Sequence, residues 1–375
     1  MGLFRWAIAV VLAAGVLPAQ PLRVRLPRVA EPPVPSDPLE LVTGDAQPVT
    51  DITQRAQIIN LLAAAHRNSN VRAQPYDLKT SFTRSGSLSA GEWQEEDISP
   101  GKGMYRWTVE GPGYSAANLT VDRILYSNQP SDGLPLRLIQ AREAIFRPEA
   151  VVGPMATLRS ANASLNGVDV VCALIAHNAI APAGTGGRQW EEQEYCIDSK
   201  AGTLLTFSPA PGLYIHYDYS KALQFHDRLI WNGFTITQAG QTVVEARTES
   251  VTDPGKDTSL FQPAGLNQIG VGPPMSLAAW QFRARLPLPN GSAAAPGQAA
   301  QVVALHATES PKAEISDVEL LASSDSSLND AALDFVAKRQ GRMIGLDPQA
   351  GATPQSHELV MILEFVNPQP AAVQQ

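Results

Sequence analysis

The chain has 375 residues, with 28 Lys+Arg against 36 Asp+Glu, a net charge of −8, six His, two Cys, and 30 Pro beside 28 Gly. At about 150 residues per domain that length predicts two domains, or one large domain with appendages. With 44% hydrophobic and 17% charged residues the chain can bury a core, which excludes wholesale disorder. The acidic balance and the lack of any basic run exclude a nucleic-acid binder that works by counterion release.

The first residues, MGLFRWAIAVVLAAGVLPAQ, carry one charge, Arg5, before an uncharged apolar stretch from Trp6 to Leu17. That is short of the about 20 residues a membrane-spanning helix needs, and it fits the apolar core of a secretory signal peptide over 1–19. The sequence therefore predicts an exported, periplasmic protein, with an uncleaved N-terminal membrane anchor as the alternative. Pro21 to Val49 holds seven prolines and no hydrophobic period, which predicts an extended linker over 20–50.

Asp51 or Thr53 can cap a helix whose apolar face is Ile58, Ile59, Leu61, Leu62 and Ala65. Ten runs of strand character follow, among them PYDLKTSFTR, GEWQEEDI, GMYRWTVEG, VDVVCALIAH and QTVVEARTESV. Several alternate with period two, so that Tyr76, Leu78, Thr80 and Phe82 share one side, and Tyr105, Trp107 and Val109 share another. One helix is predicted between them, Leu134 to Ala150. The expected fold class is α+β, a large curved antiparallel sheet over 51–262 with a few helices at one side. Cys172 and Cys196 fall 24 positions apart in two of these strands. In an exported chain that spacing predicts a disulfide, with loop-closure entropy of about 3 kcal/mol; a metal pair or a catalytic thiol is the competing reading.

Residues 263–300 are rich in Pro, Gly and Ala and predict a second linker, and 368–375 a disordered tail. Between them a small unit over 301–367 reads strand, strand, helix, strand. In its helix Leu328, Ala331, Ala332, Phe335 and Val336 fall at i, i+3, i+4, i+7 and i+8, and Ser327 with Asp330 resembles a capping box.

The pattern VVALHAT, Lys312, DVELLASS, Leu328-Asn329-Asp330-Ala331-Ala332-Leu333 and LVMILEF resembles the C-terminal domain of TonB-type energy transducers. Where that family carries a Trp-Arg-aromatic-x-Pro run, this chain has Arg339-Gln340-Gly341-Arg342-Met343. The resemblance implies a β-β-α-β module that binds other envelope proteins by adding a strand to a sheet edge, with Leu359, Met361, Leu363 and Phe365 as docking candidates. By its order of elements, with the leading helix, YDLKTSF, GMYRWTVEGPGYS, the helix near Leu138 to Phe146 and the paired Cys strands, the central unit resembles the half-barrel of periplasmic lipoprotein carriers. That resemblance implies a curved sheet closed by helices over an apolar cavity for acyl chains. Tyr76, Leu78, Phe82, Tyr105 and Trp107 are then the pocket candidates, within an aromatic set that includes Trp93, Tyr126 and Trp231. The same residues also read as plain sheet core.

His216, Asp218 and His226 form the densest set of potential metal ligands or acid/base groups, and they leave a metal-dependent hydrolase as a minor alternative. Glu191, Glu192 and Glu194 read as one solvated strand face. GTGG at 184–187 reads as a hairpin loop. No nucleophile elbow and no phosphate loop is present, and no cofactor is expected. The combined expectation is a non-enzymatic envelope protein, at most peripheral to the membrane. Its central domain would bind a lipid or lipoprotein acyl chain and its C-terminal module an envelope protein. The alternative is a protein-protein adaptor without ligand.

Overall fold

The computed structural model describes residues 46–84, 90–128, 136–146, 150, 152–153, 156–176, 192–210, 213–238, 241–271, 281–289, 301–310, 312–323, 325–339 and 357–366. The expected signal peptide, the first part of the expected 20–50 linker, GTGG at 184–187, Glu191 and the expected C-terminal tail lie outside them.

In chain order the first unit starts with a short strand, β1 (Gln47–Pro48), and a helix, α1 (Ile52–Ser69). Asp51 caps α1 as the sequence predicts, its carboxylate accepting from the Gln54 N–H at 2.7 Å. A five-strand meander follows: β2 (Tyr76–Arg84), β3 (Gly91–Gly101), β4 (Met104–Gly111), β5 (Tyr114–Val121) and β6 (Ile124–Ser127). Helix α2 (Leu136–Phe146) leads to β7 (Thr157–Leu165), β8 (Val168–Ala176), β9 (Gln193–Asp198), β10 (Leu204–Ala210) and β11 (Leu213–Asp218). After the small hairpin β12 (Leu223–Phe225) and β13 (Arg228–Ile230) come β14 (Gly233–Gln238), β15 (Gln241–Thr252) and β16 (Asn267–Val271).

Fourteen of these strands make one sheet in the order β1-β7-β8-β9-β10-β11-β14-β15-β2-β3-β4-β5-β6-β16, antiparallel throughout. Two meanders are therefore fused where β15 pairs with β2. One hydrophobic core joins inward-facing residues from β7 (Leu158) round to β5 (Ala116) with Ile58, Leu62 and Ala65 of α1 and Leu138, Ile139 and Ile145 of α2. Both helices thus occupy one face, and the sheet must curl around them. Register shifts between β9 and β10, β10 and β11, β14 and β15, β15 and β2, and β3 and β4 provide the bending. This is the curved antiparallel half-barrel that the sequence predicts. Gly111 has a packing reason: a Cβ there would stand 2.2 Å from the Trp93 ring, which crosses the end of β4.

The second unit is a four-stranded sheet of β17 (Gln281–Pro287), β18 (Gln301–Glu309), β19 (Ile315–Ser323) and β20 (His357–Val366), in the order β17-β20-β18-β19. Helix α3 (Asn329–Lys338) packs Leu328, Ala332 and Val336 on Val303, Leu305, Met361, Leu363 and Phe365. The element order β18-β19-α3-β20 is the expected one.

Several expectations are corrected. The proline-rich stretch 263–300 contains two strands: β16 extends the large sheet, and β17 pairs in parallel with β20. Likewise Gln47–Pro48 of the first linker pairs with β7. Proline is tolerated in both places because each strand lies at a sheet edge. The capping box at Ser327 and Asp330 does not form; the Asp325 carboxylate accepts from the Ser327 N–H at 2.9 Å, capping a short 3-10 turn ahead of α3. Glu192 and Glu194 are buried instead of solvated. Arg159 on β7 donates to both Glu192 oxygens, at 2.8 and 3.1 Å. Strand β20 is interior, its edges taken by β17 and β18, with Leu359 opposite Ala307. Met361, Leu363 and Phe365 face the α3 core, so among the described residues the outer strands of this sheet are β17 and β19.

Candidate ligand-binding site

The floor of the half-barrel beneath α2 is aromatic. Tyr76, Leu78, Phe82 and Trp107 are all buried there, and Tyr105 packs at its margin. Phe82 stacks on Trp93 with centroids 6.0 Å apart, Trp93 meets Tyr114 at 5.4 Å, and Tyr76 meets Phe146 of α2 at 6.5 Å. Trp231 belongs to the same core with Tyr217 and Phe234. Tyr126 does not; it packs with Ile98, Leu119 and Phe261 in a separate small cluster. All five pocket candidates thus belong to or pack against the core that α2 joins, and Tyr76, Tyr105 and Trp107 touch α2 itself.

What sequence reasoning missed is how α2 is held on that floor. Arg142 of α2 reaches between Glu95 and Asp97 of β3, pairing with Glu95 and donating to Asp97 at 3.0 and 3.2 Å. Tyr105 donates to Asp97, and Arg142 also bonds the Tyr105 hydroxyl. The guanidinium stands over the Trp107 ring at 4.3 Å and the Phe146 ring at 5.2 Å. Burial pushes the Glu95 carboxyl well above the usual carboxylate range; Arg142 opposes that shift and Asp97 reinforces it. For Arg142 burial works against the charge, but Asp97, Glu95 and Tyr105 together outweigh it and keep it protonated. Two further bonds pin the helix, Arg137 to Gln238 of β14 and the Tyr217 hydroxyl of β11 to the Ala144 carbonyl at 2.7 Å.

A signal for this cluster exists in the sequence. In GEWQEEDI, Trp93, Glu95 and Asp97 alternate on the same side, and Glu96 on the other side pairs with Lys79 at 3.0 Å. Two acids on the tryptophan side of a strand require a buried cation.

Among the described residues, two small cavities of about 10 Å³ each border α2, one beside Tyr105, Trp107 and Arg142, the other beside Phe146, Tyr217 and Trp231. Neither holds more than about one water.

The opposite face of the sheet carries an open polar groove of about 690 Å³, lined by His216, Asp218, Thr235, Glu245, Arg247 and Glu92 among others. Its polar lining suits water better than an acyl chain. His216 and Asp218 do share a strand face, as their spacing predicts, and burial holds the His216 imidazole below its ordinary pKa. His226 is elsewhere, at the β12–β13 turn, 2.8 Å from Asp253. The metal or acid/base trio is therefore not assembled. Among the described residues one trio of His, Cys, Asp or Glu is close enough to share an ion: Cys172, Glu194 and Cys196. Its sulfurs are joined to each other. The predicted Cys172–Cys196 disulfide is present, linking directly opposed residues of β8 and β9.

No helix among the described residues is long and apolar enough to cross a membrane. No protein-family model matches the chain, and no curated protein matches it. Among solved structures, a LolA superfamily protein from Nitrosomonas europaea aligns at 12% identity and TM-score 0.37, over 54% of this chain and 96% of its own. A putative outer membrane lipoprotein-sorting protein domain from Vibrio parahaemolyticus aligns at 10% identity and TM-score 0.35, over 55% of this chain and 96% of its own. A DUF1329 family protein from Desulfovibrio piger aligns at 10% identity and TM-score 0.38, over 56% and 98%. The half-barrel is established by this chain's own strand order and by the two helices on one face of its sheet.

Proposed function

We propose that this chain is an exported, non-enzymatic envelope protein whose half-barrel receives the acyl chain of a lipid or lipoprotein on the floor that α2 covers. In this reading the TonB-like C-terminal module docks an envelope protein through the free edge of β17 or β19. The observation that carries the ligand reading is the manner in which α2 is held. Its large apolar contacts are Leu138, Ile139, Ile145 and Phe146, with alanines at 141 and 144 and an ionic cluster at its centre. Four such side chains are worth about 6–12 kcal/mol of burial, and about 14 methylenes of an acyl chain return about 11 kcal/mol. The Arg142 cluster regains hydration when the helix lifts, which offsets much of its lost Coulomb energy. Exchange of helix for acyl chain is thus close to balanced, whereas an all-leucine seam would oppose it.

Native mass spectrometry of the protein purified gently from its own host tests this. An adduct of phospholipid or fatty-acid mass is expected, absent from Trp107→Asp. A ligand-free mass for the wild type, with no uptake of added fatty acid, contradicts it. The small size of the two cavities beside α2 among the described residues favours the second reading, an adaptor without ligand, and that result would select it. For the adaptor, deletion of 298–375 removes envelope-protein crosslinks and leaves the half-barrel folded.

A further inference from the structure

The open polar groove of about 690 Å³ lies on the outer face of the half-barrel, away from the aromatic floor. A row of directly paired residues crosses it: His216 of β11, Thr235 of β14, Glu245 of β15, Thr83 of β2 and Glu92 of β3. Asn166, at the tip of the β7–β8 hairpin, lines the same groove. Glu245 and Glu92 flank Thr83 from its two neighbouring strands, about 10 Å apart at two strand spacings. Both are exposed, and among the described residues neither has an ion-pair partner. Asp218, also exposed, is already held by the Ser220 N–H and the Asn232 amide, each at 2.8 Å. Arg247 is the guanidinium among the described lining residues, so three carboxylates face one fixed cation.

The chain carries a segment that matches this charge. Arg23, Arg25 and Arg28 fall within six residues, interleaved with Val24, Leu26 and Pro27. Arginines at i and i+2 point to the same side of an extended chain, about 7 Å apart, and the planar fork of each suits bidentate pairing with a carboxylate. The path into the fold leads past the groove. Gln47 pairs with Ser160 and Pro48 with Arg159, so the direction from Pro48 back to Gln47 runs along β7 toward the Asn166-Gly167 turn. Ala46 packs beside Ala161, and from Ala161 to Asn166 is about 17 Å of strand. Residues 29–45 join Arg28 to Ala46, with a reach of roughly 60 Å. A tether of that kind holds its end near the groove at an effective concentration on the order of millimolar.

We infer that the outer groove is the docking site of this chain's own arginine segment, residues 22–28, with Arg23 and Arg25 meeting Glu245 and Glu92. The segment is then a strap over the outer face of the half-barrel instead of a plain spacer. This surface is separate from the aromatic floor, and the strap holds whether or not an acyl chain binds there.

The test uses the full chain carrying Arg25→Lys, treated with a water-soluble carbodiimide. The reagent condenses the new amine with a carboxylate in contact with it; an amide forms and the reagent takes up the lost water as its urea. Docking predicts an amide from position 25 to Glu245 or Glu92 as the main product of the monomeric chain, with a yield unchanged by tenfold dilution. In that background Arg23→Glu with Arg28→Glu, or Thr235→Arg between Glu245 and His216, each lowers the yield at least fivefold. Salt at about 1 M, where the Debye length is near 3 Å, does the same. Hydrogen exchange of β14 and β15 checks that Thr235→Arg keeps the sheet folded, and the double arginine variant leaves the groove itself untouched. Links from position 25 scattered over other carboxylates, such as Glu31 and Asp37, overturn the inference. So do groove links formed only between two chains, or a yield that neither variant nor salt lowers.

Discussion

Helices α2 and α3 do the same architectural job, each laid across one face of an antiparallel sheet, but they are held in opposite ways. Helix α3 presents an unbroken apolar seam of Leu328, Ala332 and Val336 to an apolar sheet face. Helix α2 sets a guanidinium between two carboxyls over a tryptophan, with apolar side chains to either side. An apolar seam loses its full burial energy when it separates; an ionic cluster regains water. The difference teaches that α3 is bound to its module by apolar burial alone, whereas α2 is anchored by a buried ionic cluster, as the proposed exchange with an acyl chain requires.

The largest effect that could break this comparison is at Arg142. Arg142→Ala leaves Asp97 buried with no cation, and is expected to cost the half-barrel about 3–5 kcal/mol in urea unfolding. A cost under about 1 kcal/mol would mean the cluster is not what holds α2. Leu328→Ala tests the other seam: loss of a fully buried leucine is expected to cost about 3 kcal/mol, confined to the C-terminal unit. Replacing Cys172 and Cys196 together by Ala should lower half-barrel stability by about 3 kcal/mol while leaving the unfolding of the C-terminal unit unchanged; a loss shared equally by both units would show that they do not unfold separately.

The smallest effect is the sharpest on mechanism. Burial pushes Glu95 up, so the native state keeps a proton that the unfolded chain releases above about pH 4.3. Above that ordinary value and up to the raised native one, the folded form binds more protons than the unfolded form, and stability falls as pH rises. Glu95→Gln cannot titrate and keeps an acceptor for Arg142. Relative to wild type it should gain about 1 kcal/mol or more as pH climbs from about 5 through this window. Parallel pH profiles for the two proteins would show that Glu95 is ionised in the fold.

Much of this was legible in the residues. Asp51 and the Ile58–Leu62–Ala65 stripe announce α1, the i, i+3, i+4 pattern announces α3, and the strand alternation announces the curved sheet. Strand β7 was missed because TLRSANASL offers few apolar side chains, although the Asn166-Gly167 turn that joins it to β8 is a hairpin signal; both residues have positive φ. Glu192 and Glu194 misled because a strand with several acids reads as solvated, and only the partner strand reveals Arg159. Side-chain alternation fixes which residues share a face, so the shared burial of Tyr76, Leu78 and Phe82 was legible. The helix over Leu134–Ala150 was legible too, with Leu138, Ile139, Ile145 and Phe146 to pack on the sheet; the burial of Arg137, Gln140 and Arg142 beside them was not, because polar residues at those positions read as solvated. That burial depends on strands far away in the chain.

The most direct measurement is hydrogen exchange of α2 in the wild-type chain with and without added fatty acid, α3 serving as the internal reference. The account predicts that the acyl chain binds and that α2 amides lose protection while α3 amides do not. Binding with α2 protection unchanged, or no binding at all, would contradict it.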